Sequence, residues 1–358
     1  MQTANNHSVI IDSKDFKGLN VFFDENHYDR IFVLVDENTI ENCLPILKAK
    51  TPLKNSITIK TQSGESNKNL NTCEYIWNQL TKYGASRKSL LINLGGGVIG
   101  DMGGFAASCF KRGIDFINIP TTVLAAVDAS IGGKLGIDFQ YLKNQIGLFN
   151  SPKAVFISNL FFKTLSDRQI KSGYAEIIKH ALIADGDYWN SLKQSRNFSD
   201  LDWDPIIEQS IQIKNNIVEK DPFEESIRKV LNFGHTIGHA VETYSLENDE
   251  KPLLHGEAVA IGMICEAYLS MKLNTLSETK LNEICSCIKS LYLEYIIEPK
   301  SFEHLNIHMK QDKKNESELI NFTLLKDIAK PEININIEWK FIEESLNYYN
   351  QLKTTNID

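Results

Sequence analysis

His235 and His239 stand four residues apart in Asn232-Phe-Gly-His-Thr-Ile-Gly-His-Ala240, so both would project from one face of a helix. His255-Gly-Glu257 follows at the start of another helical pattern. Upstream, Glu176, Lys179 and His180 fall at i, i+3 and i+4 on one helical face. Imidazole and carboxylate are the donors that a catalytic divalent ion takes while keeping a position open for substrate or water. A histidine on its own is more often a packed core residue. Three of them among glycines, with a glutamate on a separate helix, point instead to a metal held by one Glu and two or three His. The H-E-x-x-H spacing of metalloproteases is absent.

A second kind of chemistry is written in glycines. Asn93-Leu-Gly-Gly-Gly-Val-Ile-Gly-Asp-Met-Gly-Gly-Phe105 follows the apolar run Ser89–Leu94, which reads as a buried strand. Gly95, Gly97 and Gly100 have the G-x-G-x-x-G spacing that lets backbone N–H groups approach a pyrophosphate. A helix starting near Gly100 would direct its positive end at that anion. Another cluster, Val127-Asp-Ala-Ser-Ile-Gly-Gly-Lys-Leu-Gly136, comes one strand later, and Lys143-Asn144 lies in a loop ending at Gly147. Arg112, Lys134, Lys143, Lys179, Lys214 and Arg228 gather near these motifs in an otherwise acidic chain, which suits a small phosphate- or carboxylate-bearing substrate.

The first third alternates strand and helix signals, as a parallel sheet with ligands at its carboxyl edge would. Arg30–Val35 is a strand ending at Asp36, an acid placed either to bind a ribose or to cap the helix beginning at Asn38. Ser56–Lys60 is a second strand, leading through the polar loop Ser63–Lys68 into a helix near 70–83. Phe116–Thr122 is a further strand, with Thr121 and Thr122 at its polar end. Beyond about residue 160 glycines thin out and amphipathic patterns take over, at 167–184, 203–220, 257–273, 277–293 and 338–352, with a short strand-like run at 319–325. The expected architecture is an α/β, Rossmann-like nucleotide-binding domain over 1–165 and a mostly α-helical metal- and substrate-binding domain over 166–358, packed around a cleft.

The 358 residues carry a net charge of −8, and no stretch is basic enough to override it, which argues against nucleic acid as a partner. No apolar run approaches a membrane span, and Met1–Ser8 lacks a signal-peptide pattern. Six scattered cysteines without a C-x-x-C pair suit a reducing cytoplasm.

Gly95 to Phe149, Ser172-Gly-Tyr-Ala-Glu-Ile-Ile-Lys-His180, Asn232 to His239 and Leu254-His-Gly-Glu257 together resemble the 3-dehydroquinate synthase family of sugar-phosphate cyclases, over nearly the whole chain. The resemblance implies a dehydroquinate synthase-like fold and a homodimeric, NAD- and zinc- or cobalt-dependent lyase of the shikimate pathway. Its substrate would be 3-deoxy-D-arabino-heptulosonate 7-phosphate. Position by position, it implies Glu176, His235 and His255 as metal ligands and His239 as a catalytic histidine rather than a ligand. It implies NAD contacts at Asp36, Asn38, Ser63, Gly64, Glu65, Ser66, Asn67, Lys68, Gly97, Val98, Ile99, Gly100, Asp101, Thr121, Thr122, Phe161, Phe162, Lys163 and Thr164. Lys134 and Lys143 would lie near both cofactor and substrate. Asp128, Asn144, Lys179, Lys214, Arg228 and Asn232 match active-site positions. Arg112 matches a residue reaching the neighbouring subunit's site, and Lys313 or Lys314 matches a phosphate-contacting lysine. Two departures stand out. Ala129 and Leu135 replace hydroxyl residues, and the segment from Glu242 to Leu254 is longer than in many members, a bulge between two expected ligands.

Overall fold

Strands buried on both faces read as continuous apolar runs rather than alternating ones, and every residue of Leu90–Gly95 is buried. That strand lies at the middle of a six-stranded parallel sheet in this computed structural model, which describes residues 8–12, 14–140, 142–194, 198, 201–273, 275–292, 295–312 and 319–354. The chain divides into two units, one comprising 1–166 with 202–215 and the other 167–201 with 216–358.

In the first unit the strands are β1 (Ser8–Ile11), β2 (Ile31–Val35), β3 (Ile57–Lys60), β4 (Leu90–Gly95), β5 (Asp115–Pro120), β6 (Lys134–Phe139), β7 (Leu142–Phe149) and β8 (Ala154–Ile157). The helices are α1 (Lys17–Glu25), α2 (Glu37–Asn42), α3 (Leu44–Lys50), α4 (Leu70–Lys82) and α5 (Gly97–Cys109). The sheet order is β1-β8-β5-β4-β2-β3, while β6 and β7 form a separate antiparallel hairpin. From β2 the chain moves outward to β3, then returns to the other side of β2 for β4 and continues to β5. The direction of winding therefore reverses between β2 and β4, and such a switch point is where open α/β sheets bind ligands. Asp36 and Gly96 follow those two strands directly.

Alternate side chains along the strands enter two cores. Leu91 and Phe116 join Cys73, Ile76, Met102 and Phe105 on the α4–α5 face. Leu90, Ile92 and Ile117 join Leu19, Leu44 and Phe161 on the other. Helix α5 lies hard on the sheet, for a Cβ at Gly103 would stand 2.1 Å from Asn93 Oδ1. It begins at Gly97, not near Gly100, because Gly96 already has the extended backbone of an N-cap. Lys143 and Asn144 lie on β7 rather than in a loop, opposite the strand carrying Lys134.

The second unit is mostly helical: α6 (Asp167–Ala184), α7 (Gly186–Leu192), the end of α8 (Trp203–Lys220), α9 (His235–Asn248), α10 (His255–Leu273), α11 (Glu278–Tyr292), α12 (Phe302–Asp312) and α13 (Trp339–Thr354). One hairpin, β9 (Ile320–Asp327) with β10 (Lys330–Ile337), completes it. Among the described residues no helix is long and apolar enough to cross a membrane. Helices α6, α9 and α10 meet at glycines. A Cβ at Gly262 would sit 1.9 Å from the Gly234 carbonyl oxygen, and one at Gly256 would sit 1.8 Å from that of Ser172. Only bare backbone allows such approaches, and they set the start of α9 against α10 and the start of α10 against α6.

Candidate active site

His235 is the first residue of α9, His255 the first of α10, and Glu176 lies at mid-α6. Glu176 is fully buried, and its Oε1 stands 3.4 Å from His235 Nε2 and 3.5 Å from His255 Nε2. Both distances are long for a good hydrogen bond. Two donors bound at about 2.1 Å to a tetrahedral zinc ion lie about 3.4 Å apart, so the spacing fits a metal site. The remaining ring nitrogens are engaged: His235 Nδ1 lies 3.2 Å from the Phe233 carbonyl oxygen, and His255 Nδ1 lies 3.1 Å from Glu242 Oε2. Acceptors at both Nδ1 atoms orient the two rings so that each Nε2 faces Glu176. His239 packs beside them, its ring 5.1 Å from that of His235 and 5.7 Å from that of His255. One donor each from His235, His239 and His255 lies within 4.8 Å of the others.

Charge is concentrated here. Burial pushes the Glu176 carboxyl up, but Lys179, in ionic contact with it, and His235 outweigh that and hold it well below the usual carboxylate range. Burial and the Lys179 ammonium bring His235 down to about 4. For His255 burial is the largest influence, yet Glu242 and Glu176 overcome it and raise the imidazole to about 10. Glu242 was not among the residues expected from sequence. Its only signal there was an acid on the helix that starts with His235.

At the switch point of the first unit, Asp36 Oδ1 accepts from the backbone of Asn38 at 2.9 Å and of Thr39 at 2.7 Å, closing a capping box on α2. The capping alternative for Asp36 is therefore realised, and it engages Oδ1. The 63–68 loop is pinned by Glu37, whose carboxylate accepts from Ser63 N at 2.9 Å and Ser63 Oγ at 2.6 Å. Gly64 takes the left-handed backbone that glycine favours. Helix α5 has no side chain capping its start, and the N–H groups of its first turn have no acceptor within the helix. Thr121 is buried with its N–H on the Gly95 carbonyl at 3.0 Å, and Thr122 Oγ1 accepts from Ala125 N at 3.1 Å.

Lys68 is 3% exposed and joins three expected site segments. Its ammonium reaches Asp101 Oδ2 and Asn144 Oδ1, each at 2.7 Å. Burial pushes the Asp101 carboxyl up against the opposing pull of Lys68. Lys214 donates to both the carbonyl and Oδ1 of Asp128, at 2.6 Å each. Phe161 and Phe162 are core side chains, packed on Phe16 and Trp203 respectively, while Lys163 and Thr164 are exposed. In the second unit the buried Arg228 donates to the Pro222 carbonyl at 2.5 Å, and Asn232 donates to Glu224 Oε1 at 2.9 Å. Exposed Arg112 closes the turn after α5 with a left-handed backbone. Lys313 and Lys314 lie outside the described residues. Leu135, in place of a hydroxyl residue, is buried against the bare Cα of Gly104, where a Cβ would approach it to 2.5 Å.

Comparison with known proteins bears on what this arrangement serves. The family described as 3-dehydroquinate synthase N-terminal matches residues 58–172, and 3-dehydroquinate synthase C-terminal matches 173–315. A 3-dehydroquinate synthase of Parabacteroides distasonis is 44% identical over 347 residues, covering 96% of this chain and 98% of that protein. One from Campylobacter jejuni is 39% identical over 308 residues, covering 84% and 87%. Among solved structures, a 2-deoxy-scyllo-inosose synthase with carbaglucose-6-phosphate, NAD⁺ and Co²⁺ aligns with TM-score 0.84 at 23% identity, covering 97% of this chain and 98% of that one. A 2-epi-5-epi-valiolone synthase from Streptomyces hygroscopicus with NAD⁺ and Zn²⁺ aligns with TM-score 0.85 at 23% identity and the same coverage. At that identity the two structures speak to the fold.

Proposed function

The chain belongs to the 3-dehydroquinate synthase family, and from that premise we propose how its residues divide the work. The protein is a carbon–oxygen lyase converting 3-deoxy-D-arabino-heptulosonate 7-phosphate to 3-dehydroquinate and phosphate. We assign NAD binding to a domain over 1–165, and metal and substrate binding to one over 166–358. Glu176, His235 and His255 would hold the ion, and the observation carrying that assignment is Glu176 Oε1 at 3.4 and 3.5 Å from two Nε2 atoms whose rings are tied at Nδ1. Fold relatives solved with NAD⁺ and Co²⁺ or Zn²⁺ support the cofactor pair. When bound, NAD takes up and later returns one hydride without net redox change, while zinc or cobalt polarises the substrate hydroxyl.

Everything else falls to the chain. Asp36, with Oδ1 engaged by its helix cap, offers the remaining oxygen to a ribose hydroxyl. The first-turn amides of α5, from Gly97 to Ile99, receive the pyrophosphate. Asp101 is held by Lys68 beside Asn144, so one buried ammonium keeps a cofactor loop and a substrate residue in register. Lys134, Lys143, Arg228, Asn232 and a lysine at 313 or 314 clamp phosphate and carboxylate as charge-assisted pairs. Lys214 pairs with Asp128 and fixes its place, Lys179 keeps Glu176 ionised, and His239 carries protons between substrate hydroxyls. A cyclase whose substrate lacks a carboxylate has no use for a buried Arg228 and its neighbour Asn232.

We further propose a homodimer in which Arg112 serves the partner's site, in the cytoplasm. Helix α5 has 13 residues and spans about 20 Å, which carries Arg112 away from the helix start where the nucleotide binds in its own subunit. No disulfide joins any of the six cysteines, in keeping with a reducing compartment. The deciding assay gives NAD⁺ and Zn²⁺ to the purified protein and measures phosphate released from the heptulosonate phosphate. Release without NADH accumulation is expected. No phosphate would refute the assignment, and net NADH would mark a dehydrogenase instead.

A further inference from the structure

The segment that leads into α10 has to deliver His255 to a defined place. Arg168, on α6 two turns ahead of Glu176, grips this segment from outside the donor set. Its Nε donates to Glu257 Oε1 and its Nη2 to Glu257 Oε2, each at 2.7 Å. The same Nη2 reaches the Pro252 carbonyl at 2.6 Å, while Glu257 Oε2 also accepts from Leu254 N at 2.7 Å. One fork-on-fork ion pair thus closes residues 252–257 into a loop and ties that loop to the helix bearing Glu176. Further pins act alongside it. Gly256 N donates to Ser172 Oγ at 3.0 Å, and Leu253 N donates to Ser245 Oγ at 2.9 Å. None of these contacts is made to Glu176, His235 or His255.

We propose that Arg168 and Glu257 are positioning residues for the metal site: their bidentate pair presets His255 against Glu176 and so raises affinity for the divalent ion without touching it. The inference rests on the reading of His255 as a ligand. A planar guanidinium meets both carboxylate oxygens and a carbonyl at once, which an ammonium cannot do, so the pair specifies direction as well as charge. Losing it leaves His255 tethered by Glu242 but lets the loop behind it drift. Carboxylates and donors behind a ligand typically contribute 10- to 100-fold in metal affinity.

The test strips metal from the full-length protein and measures Zn²⁺ affinity by calorimetry and Co²⁺ coordination by visible absorption. The variants are Arg168→Met, Arg168→Lys, Glu257→Gln, the Arg168→Met/Glu257→Gln double and His255→Ala. The Met and Gln singles should each weaken Zn²⁺ binding about tenfold, with Lys between them and wild type. The double should be no weaker than the worse single, because both remove one interaction. Phosphate release at saturating Zn²⁺ should stay near wild type, and the Co²⁺ spectrum of the Met variant should broaden. Should the singles lower the melting temperature of the metal-free protein but leave Zn²⁺ affinity and the Co²⁺ spectrum unchanged, the pair is a structural clamp and the inference is overturned. His255→Ala separates the two levels: unchanged Zn²⁺ affinity there refutes the ligand reading, and the latch with it. A loss there, without one in the Arg168 and Glu257 variants, refutes the latch alone.

Discussion

Glu242 meets Nδ1 of His255 at 3.1 Å, and that contact decides which ring nitrogen is left to face Glu176. Replacing it with glutamine keeps the size but offers an amide that can turn its NH₂ towards the ring, so the tautomer is no longer imposed. Glu242→Gln should lower Zn²⁺ affinity about tenfold, measured by competition with a chelator, and an unchanged affinity would remove Glu242 from the site's design. Asp221 acts on a different group. It accepts from the backbone N–H of Glu225 at 3.0 Å, Ser226 at 2.7 Å and Arg228 at 3.0 Å, folding residues 221–228 around Arg228. Burial alone would raise its carboxyl, but the N–H groups of Arg228, Ser226 and Glu225 bring it down to about 2, from an ordinary 3.8. A carboxyl depressed on folding stabilises the protein at every pH above its unfolded value, and that stabilisation is lost as pH falls from about 4 through about 2. Allowing for screening near the surface, Asp221→Asn should cost about 1–2 kcal/mol in urea unfolding at pH 7. The gap from wild type should be flat between pH 5 and 8 and close below about pH 4. A gap still at its full pH 7 size at pH 2 would show that geometry, not charge, is what the loop uses.

Close helix contact is the device that assembles the second unit's chemistry at the level of elements. Gly262 of α10 faces the Gly234 carbonyl, which precedes His235, and a methyl group there would lie 1.9 Å from a backbone oxygen that has no side chain to rotate away. Gly262→Ala should therefore push α9 off α10, lowering stability by about 3 kcal/mol and the melting temperature by about 5–10 °C, read by calorimetry. A variant as stable as wild type would mean the two helices are free to part. Such approaches were not legible beforehand, because a glycine in a helical pattern looks the same whether it faces solvent or another backbone. The candidate ligands were legible as types and spacings, yet the i, i+4 pairing of His235 with His239 left open which rings act together. Glu176 of α6, about 60 residues away in sequence, stands near the Nε2 atoms of His235 and His255, and that proximity is what the proposed ligand set rests on. Strands β2 and β4 were visible as apolar runs because both faces are buried. Strand β10 was not, because it interleaves Glu332, Asn334 and Asn336 with its apolar residues and, among the described residues, pairs only with β9. Asp36 carried two meanings in sequence, and its cap on α2 was a local pattern that any acid before a helix could have met.

At the scale of the whole molecule, Arg112 stands apart from the site of its own subunit. The residue is exposed, its backbone is left-handed, and a 13-residue helix separates it from the loop at Gly96. A left-handed arginine in a turn is an uncommon arrangement. The proposed homodimer gives it a function, because a cation remote from its own site can complete the partner's. Subunit mixing tests this directly. Arg112→Ala and His239→Ala homodimers should each be inactive, since every site in them lacks one essential group. After the two are unfolded, mixed in equal amounts and refolded, half of the dimers should be hybrids with one complete site of two. Activity should then recover to about a quarter of wild type under symmetric pairing, with the mass by light scattering matching a dimer. No recovery from a dimeric mixture would place Arg112 in its own subunit's site or in none, and a monomeric mass would remove the dimer altogether.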